Sequence, residues 1–309
     1  MSLPKTSCFF CGVGGSGMNA LARLVRLRGD AVTGSDRGFD QGRNAALRES
    51  LERAGIRIVP QDGTGVDASV GVLIVSSAVE ETVPDVRAAR GRNVPIRRRA
   101  ELLADIFHEF PERIAVGGTS GKSTVTAMTT HILTKAGRDP TMVNGAAMCP
   151  SSPASGAEAV APIRVGSGAC CVVETDESDR SISLFRPSVA VLTNVTEDHH
   201  GMGELRTLFR DFIRTAEHGA VLNVDCAESA AWRDDAVRTV TFGTDASADL
   251  HASDMAFARS GVHFMLNGRA AHLPVPGRHN VANALAAAGA ASLAGVPTEQ
   301  AVEALSTFP

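Results

Sequence analysis

The chain has 309 residues, of which 44% are hydrophobic and 21% are charged, and its formal net charge is −4. This composition is typical of a globular protein of about two domains, and the mild acidity argues against a nucleic-acid or anionic-membrane surface as the main partner. Because no apolar run approaches the ~20 residues that span a membrane, and the first residues lack the apolar region of a signal peptide, we expect a cytoplasmic protein.

Short apolar runs alternate with helical patterns through the first third of the chain. Predicted strands cover residues 7–13, 31–36, 56–59 and 70–78, and predicted helices cover residues 18–28, 44–54, 83–90 and 100–108. Strands that alternate with helices across glycine-rich turns favour a parallel, doubly wound sheet. We therefore predict an α/β fold that opens with a Rossmann-like domain.

The pattern restarts after Pro111, which cannot continue a helix and disfavours helix in the residue before it. We place the domain boundary there, which gives a first domain of residues 1–110 and a second α/β domain of residues 111–309. Its predicted strands cover 113–118, 169–175, 188–194 and 219–225, and its predicted helices cover 122–136, 205–217, 277–296 and 298–305. Gly295 is a candidate C-cap. The segment 148–168, rich in Pro, Ser, Gly and Ala, is expected to bury little and to be mobile.

Four of the cysteines fall in predicted strands. Cys8 and Cys11 have C-x-x-C spacing, but no second pair lies at metal-site spacing, and Cys170 and Cys171 also follow a strand pattern. We therefore expect buried, reduced thiols rather than a zinc site or a redox pair.

The first glycine-rich turn follows a predicted strand and opens a helix. Residues 12–17 (GVGGSG) fit G-x-G-x-x-G, with Asp36 about twenty residues further on. Such a turn brings backbone N–H groups and a helix N-terminus to a diphosphate. The pattern predicts a diphosphate site, although a tight turn without a ligand also fits, and an NAD-dependent dehydrogenase stays open at this point.

The second glycine-rich turn lies within residues 115–128 (AVGGTSGKSTVTAM), between a strand and a helix. Lys122 would reach phosphates and the Ser123 hydroxyl would hold Mg²⁺, although a strict phosphate loop would need glycine at Val116. A glycine-rich turn with a solvated lysine is the alternative.

A magnesium site at this second turn would need further ligands from neighbouring strand ends. Glu174 follows one apolar strand, and Asp198 and His199 follow another. A solvated acidic loop and a hydrogen-bonded structural histidine are the alternatives.

Together these motifs resemble one family, the Mur ligases, which are ATP-dependent amide-forming enzymes of peptidoglycan precursor synthesis. The family loop G-T-x-G-K-[ST]-[ST] is matched by GTSGKST at 118–124, and further family segments match at 174–179, 193–199 and 277–287. In the first domain, GVGGSGMNALA, GSD and VSSAV are similar to the UDP-sugar domain of the alanine-adding type. The resemblance implies a central P-loop ATPase-like domain after the Rossmann-like one.

The implied activity is a ligase reaction with two nucleotide substrates. The lactyl carboxylate of UDP-N-acetylmuramate attacks the γ-phosphate of ATP to give an acyl phosphate, from which the amine of L-alanine displaces phosphate. ATP and Mg²⁺ are the implied cofactors, and UDP-N-acetylmuramate and L-alanine are the implied partners, with no nucleic acid and no membrane.

The resemblance also assigns site residues by position. The implied catalytic residues are Lys122, Glu174 and His199, and the implied magnesium ligands are Ser123, Glu174 and His199. The implied ATP-binding residues are Gly118, Thr119, Ser120, Gly121, Lys122, Ser123, Thr124, Asn280 and Asn283. The implied UDP-sugar-binding residues are Gly14, Gly15, Ser16, Gly17, Ser35, Asp36, Ser76 and Ser77. For Asn280 a helix N-cap is the alternative, and for Asn283 a buried polar residue.

Several features depart from the family pattern. Ser120 stands where the alanine-adding type usually has His, Gly201 stands where the family commonly has Asp, and the 148–168 segment is longer than usual. The sequence has no lysine after Lys135, so the carbamoylated lysine of several Mur ligases cannot form here, which agrees with the alanine-adding type.

The family also has a third, C-terminal domain that binds the amino acid, and this chain ends where the link to it would begin. We therefore expect that domain to be absent and the chain to bind the UDP-sugar with little or no ligase turnover. A murein peptide ligase that uses the same UDP-sugar, a non-catalytic UDP-sugar-binding relic and an NAD-dependent dehydrogenase stay open. The last of these leaves Lys122, Glu174 and His199 without a role.

Overall fold

The computed structural model describes residues 7–145, 162–197 and 201–309. The chain divides into two compact units, Met1–Glu109 (unit 1) and Phe110–Pro309 (unit 2), so the division falls one residue before the predicted boundary. Within the described ranges, no helix has both the length and the apolar character needed to cross a membrane.

Unit 1 is built on a five-stranded parallel sheet with the order β3-β2-β1-β4-β5. Its strands are β1 (Cys8–Cys11), β2 (Val32–Ser35), β3 (Arg57–Val59), β4 (Val72–Val75) and β5 (Ile96–Arg98). Its helices are α1 (Ser16–Leu27), α2 (Arg37–Asp40), α3 (Ala45–Arg53), α4 (Pro84–Gly91) and α5 (Arg99–His108). The strand order steps outward from β1 in both directions, which confirms the predicted doubly wound sheet. The carboxyl ends of β1, β2 and β4 share one edge, where such folds bind ligands.

The central strand β1 is buried along its whole length, as expected of a parallel strand covered on both faces. Burial raises the pKa of the Cys8 thiol to about 11 and that of Cys11 to about 12, so both stay protonated near neutral pH. Cys170 and Cys171 are buried in the same way in a strand of unit 2, and among the described residues none of the four cysteines is in a disulfide bond. The prediction of buried thiols at these positions is confirmed.

Unit 2 is built on a ten-stranded mixed sheet with the order β15-β14-β13-β12-β11-β10-β6-β9-β7-β8. The strands are β6 (Glu112–Gly117), β7 (Thr141–Val143), β8 (Ile163–Arg164), β9 (Cys170–Glu174), β10 (Val189–Leu192), β11 (Gly219–Asn223), β12 (Thr239–Gly243), β13 (Leu250–Ala258), β14 (Gly261–Leu266) and β15 (Arg269–Leu273). The helices are α6 (Lys122–Lys135), α7 (Met202–Arg214), α8 (Ala227–Ala230), α9 (Arg278–Leu293) and α10 (Thr298–Leu305). In the order of the sheet, the seven strands β13-β12-β11-β10-β6-β9-β7 are parallel. At the two ends of the sheet, β14, β15 and β8 pair antiparallel with their neighbours.

Unit 2 departs from the sequence prediction in several elements. The strands β7, β8 and β12 to β15 and the short helix α8 were not predicted. Helix α7 begins and ends three residues before the predicted helix, because the chain after it returns to the sheet: the His218 N–H donates to the Ser188 carbonyl at 2.7 Å. Most of the predicted mobile segment 148–168 lies outside the described residues, but its end forms β8, which pairs with β7.

The alanine-rich helix α9 is buried along most of its length, and its small residues let it approach the sheet closely. A Cβ at Gly289 would lie 2.8 Å from Val221 Cγ1 of β11. The helix closes with Gly295 at φ +85°, and the Val296 N–H donates back to the Ala291 carbonyl at 2.9 Å. This is the glycine-terminated helix end that the sequence predicted, and α10 has the predicted bounds.

Candidate functional site

The turn between β6 and α6, residues 118–123, has a backbone shape that requires glycine; we call it the phosphate loop. Gly118 has φ +127°, and Gly121, the N-cap of α6, has φ +81°. A Cβ at Gly118 would collide with the Thr193 hydroxyl, and a Cβ at Gly121 would lie 2.5 Å from Asn283 Oδ1. Val116 is a buried residue of β6, paired with strands on both sides. The loop therefore starts at Gly118. Position 116, where a strict phosphate loop would have glycine, is part of strand β6.

The chain that follows β10 fastens the phosphate loop through side-chain hydrogen bonds. Thr119 Oγ1 and the Ser120 N–H donate to Asn194 Oδ1, at 2.6 and 3.1 Å. Asn194 Nδ2 donates in return to the Ser120 carbonyl and to Ser120 Oγ, at 3.2 and 2.9 Å. The Thr193 hydroxyl donates to the same carbonyl at 2.6 Å. Thr193 and Asn194, which belong to the family segment 193–199, thus hold the loop in place.

The Lys122 ammonium is held by two protein groups. Its Nζ donates to the Gly118 carbonyl at 2.7 Å and to Glu177 Oε2 at 2.8 Å. The side chains of Lys122 and Glu177 are only 14% and 4% exposed. Glu177 was not predicted from the sequence; the available signal was its place in the acidic run after β9.

The structure brings two of the predicted magnesium ligands together. Ser123 Oγ donates to Glu174 Oε2 at 2.7 Å, and the Gly145 N–H donates to the same oxygen at 2.9 Å. A hydroxyl and a carboxylate are oxygen ligands of the kind that Mg²⁺ takes, so the pair fits this ion. The described residues contain no group of three or more His, Cys, Asp or Glu side chains that could hold a metal, and His199 lies outside them. Thr124, next in α6, is half-buried.

The first two turns of α9 carry two buried asparagines, and the second of them, Asn283, lies beside the phosphate loop. Asn280 Nδ2 donates to the Pro276 carbonyl at 2.8 Å, and Asn283 Nδ2 donates to Asn280 Oδ1 at 3.2 Å. The N-cap of α9 is Gly277, whose φ of +107° turns the chain into the helix. The N-cap interpretation of Asn280 is therefore wrong, because this residue lies within the first helical turn.

A cleft of about 610 Å³ opens at the carboxyl ends of the unit 1 strands. The Asp36 carboxylate lines it and accepts from the Gly14 N–H at 2.9 Å and from the Gly38 N–H at 2.7 Å. A Cβ at Gly14 would lie 2.7 Å from this carboxylate. Through these two hydrogen bonds Asp36 fixes the shape of the glycine-rich turn, and its carboxylate also lines the cleft.

The other predicted UDP-sugar residues have different surroundings. Gly15 lines the cleft, whereas Ser35 is fully buried and its hydroxyl donates to Asp85 at 2.5 Å. Burial raises the pKa of Asp85, and Ser35 is not among the described residues that line the cleft. Gly17 lies against the Arg99 guanidinium, since a Cβ there would be 3.2 Å from Nη1. The described residues that line the cleft do not include Ser16, Ser76 or Ser77.

Two cleft cations escaped the sequence analysis. Arg37 and Arg43 both line the cleft, together with the carboxylates of Asp36 and Glu80, and supply the cations that an anionic ligand would contact. Arg37 directly follows Asp36, and this adjacency was the signal that could have identified it.

Comparisons with known proteins agree with this arrangement. A model described as the Mur ligase middle domain matches residues 116–291, which is more than half of the chain, and one described as the Mur ligase family, catalytic domain, matches residues 9–111. The UDP-N-acetylmuramate–L-alanine ligase of Xylella fastidiosa strain M12 is 36% identical, over 97% of this chain and 62% of its own length. That of Acidithiobacillus ferrooxidans strain ATCC 53993 is 38% identical, over 96% and 65%. The chain thus spans less than two thirds of these relatives.

Solved structures share the fold. The UDP-N-acetylmuramate-alanine ligase of Thermotoga maritima superposes with a TM-score of 0.83 at 28% identity, covering 98% of this chain and 68% of the other. The UDP-N-acetylmuramate:L-alanyl-gamma-D-glutamyl-meso-diaminopimelate ligase of Neisseria meningitides gives 0.84 at 24% identity, covering 99% of each chain, which shows the fold alone. With the family models matching both units, the chain belongs to the Mur ligase family.

Proposed function

We propose that the chain supplies the UDP-sugar-binding and ATP-binding parts of an ATP-dependent, ADP-forming ligase that joins L-alanine to UDP-N-acetylmuramate in the cytoplasm. The observation that carries this is the phosphate loop of a Mur ligase family member, with Lys122 and the Ser123–Glu174 pair at one edge of the unit 2 sheet. The relatives that are 36% and 38% identical are named alanine ligases, which favours L-alanine over a peptide as the amino substrate.

In this reaction the residues of unit 2 bind and orient ATP. Backbone N–H groups of the phosphate loop and the Lys122 ammonium contact the β- and γ-phosphates, as in other glycine-rich phosphate loops. The substrate carboxylate attacks the γ-phosphorus and ADP leaves; the amine then attacks the acyl carbon, loses a proton and expels phosphate. Ser123 and Glu174 would hold Mg²⁺, which neutralises charge on the transferring phosphoryl group. His199 stays a proposed ligand on the grounds of the family segment alone.

In unit 1 the cleft would take the UDP-sugar, with Arg37 and Arg43 contributing positive charge beside the glycine-rich turn. A nicotinamide dinucleotide is disfavoured because Mur ligase models match both units and the relatives are named as ligases of UDP-N-acetylmuramate. Calorimetric titration with UDP-N-acetylmuramate and NADH, side by side, tests the assignment. We expect the UDP-sugar to bind and NADH not to bind.

A matched pair of glycine variants tests whether the UDP-sugar binds in the cleft. Gly14→Ala puts a methyl group against the Asp36 carboxylate and is expected to weaken UDP-sugar binding about tenfold or more. Gly91→Ala, where a Cβ meets nothing within 4 Å, is the control and should bind as the wild type does. Binding of NADH without the UDP-sugar, or equal affinities for the two variants, would contradict the assignment.

A further inference from the structure

Glu177 forms a buried ion pair with Lys122, and the proposed reaction assigns it no role. We propose that Glu177 is a positioning residue that aims the Lys122 ammonium at the phosphates of bound ATP. This inference rests on the proposed ATP site in unit 2, and it concerns how that site is prepared before the nucleotide arrives.

The N–H donors of the Lys122 ammonium define the direction in which it can contact a further ligand. An ammonium carries three N–H donors and no acceptor. Two of them are directed to the Gly118 carbonyl at 2.7 Å and to Glu177 Oε2 at 2.8 Å. One acceptor belongs to the phosphate loop and the other to the segment after β9, so Nζ is fixed from two sides. Within the part of the chain that the structure describes, no acceptor takes the third donor, which remains for a phosphate oxygen.

Glu177 is itself held firmly enough to act as a guide. The segment that carries it begins with Thr175, whose N–H and hydroxyl both donate to the Val116 carbonyl of β6, at 2.9 and 3.0 Å. The Arg180 N–H donates to the Glu177 backbone carbonyl at 3.0 Å, which closes a turn that begins at Glu177. With 4% of its side chain exposed, this carboxylate cannot exchange Lys122 for bulk water.

The burial also argues against the opposite interpretation, in which Glu177 withholds Lys122 until ATP displaces it. If Lys122 moved away, a buried carboxylate would lose its counter-charge, and removing one partner of a buried pair is strongly unfavourable. The ammonium therefore keeps Glu177 and gains a phosphate contact through its third donor. The charge of Glu177 thus keeps Lys122 in place, but it does not itself favour ATP, because a carboxylate repels phosphates. What ATP binding gains from Glu177 is the hydrogen-bond geometry at Nζ.

Three substitutions separate geometry from charge. Glu177→Gln keeps an oxygen that accepts from Nζ but loses the charge, whereas Glu177→Asp keeps the charge on a side chain one methylene shorter. Glu177→Ala removes the oxygen. The control is Asp179→Asn, a similar charge change two residues away at a carboxylate that accepts from the Ser181 N–H at 2.9 Å.

The readout is the calorimetric affinity of the whole chain for ATP and ADP with Mg²⁺. We expect Glu177→Gln and Asp179→Asn to stay within about threefold of wild type for ATP, and the Asp and Ala variants to lose about tenfold or more, the scale of one hydrogen bond to a charged group. Because such a lysine contacts the β- and γ-phosphates, the loss should be larger for ATP than for ADP. A merely structural defect would weaken both nucleotides alike.

The inference is overturned if the Asp and Ala variants bind ATP as the wild type does, or if the Gln variant is as weak as they are. Equal losses for ATP and ADP also overturn it. If either the Asp or the Ala variant fails to fold, as shown by the fluorescence of Trp232 in unit 2, the other supplies the comparison with Gln. A wild-type chain that binds no ATP contradicts the proposed ATP site itself, and this result is seen before any variant is made.

Discussion

Gly118 lies where the backbone of the phosphate loop passes closest to the chain that follows β10. Its φ of +127° is one that residues with a Cβ rarely adopt, and an added Cβ would collide with the Thr193 hydroxyl. We predict that Gly118→Ala destabilises unit 2 by about 3 kcal/mol, from backbone strain and overpacking together. Urea unfolding followed by the fluorescence of Trp232, the single tryptophan and a buried residue of unit 2, measures this.

The control for this prediction is Gly137→Ala, just beyond the end of α6. Gly137 has φ +76°, but a Cβ there would meet nothing within 4 Å. Only the left-handed backbone is penalised, so a loss of about 1 kcal/mol is expected. Equal losses at the two positions would show that the Thr193 contact contributes nothing.

At this scale, local spacing was enough to propose roles for Lys122, Ser123 and Glu174, and these roles remain predictions. Lys122 and Ser123 stand next to a glycine in a strand-turn-helix pattern, and Glu174 ends an apolar strand, so each could be assigned a position. The partners could not be assigned: Glu177 meets Lys122 across 55 positions, and Asn194 meets the loop across 74 or 75. Such pairs depend on how strands are ordered in the sheet, which residue patterns alone do not give.

Among the elements, α6 and α10 are joined through a histidine. His131 Nε2 of α6 is 2.9 Å from the Ala304 carbonyl of α10, and its ring meets the edge of Phe308. Burial lowers the pKa of His131, with Lys135 one turn further along α6 adding to the effect. The folded chain therefore keeps this histidine neutral below the pH at which the unfolded chain protonates it.

The sign of the pH dependence follows from that lowered pKa. The contribution of His131 is complete above the ordinary histidine pKa of about 6.5, and it falls as the pH decreases, by at most about 1.4 kcal/mol per pH unit. We predict that unit 2 loses stability from pH 7.5 to 5.5, and that His131→Gln loses less over the same interval. Urea unfolding at the two pH values, followed by Trp232, gives both differences; parallel losses would contradict the assignment.

The antiparallel strands β14 and β15 were not predicted, although the sequence contains a turn motif between them. Their two-residue connection is Asn267-Gly268, with φ +49° and +78°, the turn that this dipeptide favours in hairpins. The sequence therefore contained a local signal for this hairpin. By contrast, the three-residue β7 and the two-residue β8 are too short to show a period and exist because they pair with neighbours.

For the whole molecule, alternation of strands and helices predicted two α/β units, and the restart of the pattern near Pro111 located their division to within one residue. The order of ten strands in unit 2 could not be predicted in this way, because parallel neighbours such as β6 and β10 are far apart along the chain. The resemblance to the Mur ligases rested on several motifs in order, and the family models matched to both units confirm it.

The central claim is that unit 2 binds ATP together with Mg²⁺ at the phosphate loop. Calorimetric titration of the chain with ATP, with and without Mg²⁺, tests it most directly, with Glu174→Gln alongside. We predict that Mg²⁺ strengthens ATP binding about tenfold or more, and that Glu174→Gln loses most of this gain because the metal loses a charged oxygen ligand. No ATP binding, or an affinity that Mg²⁺ leaves unchanged in the wild type, would contradict the claim.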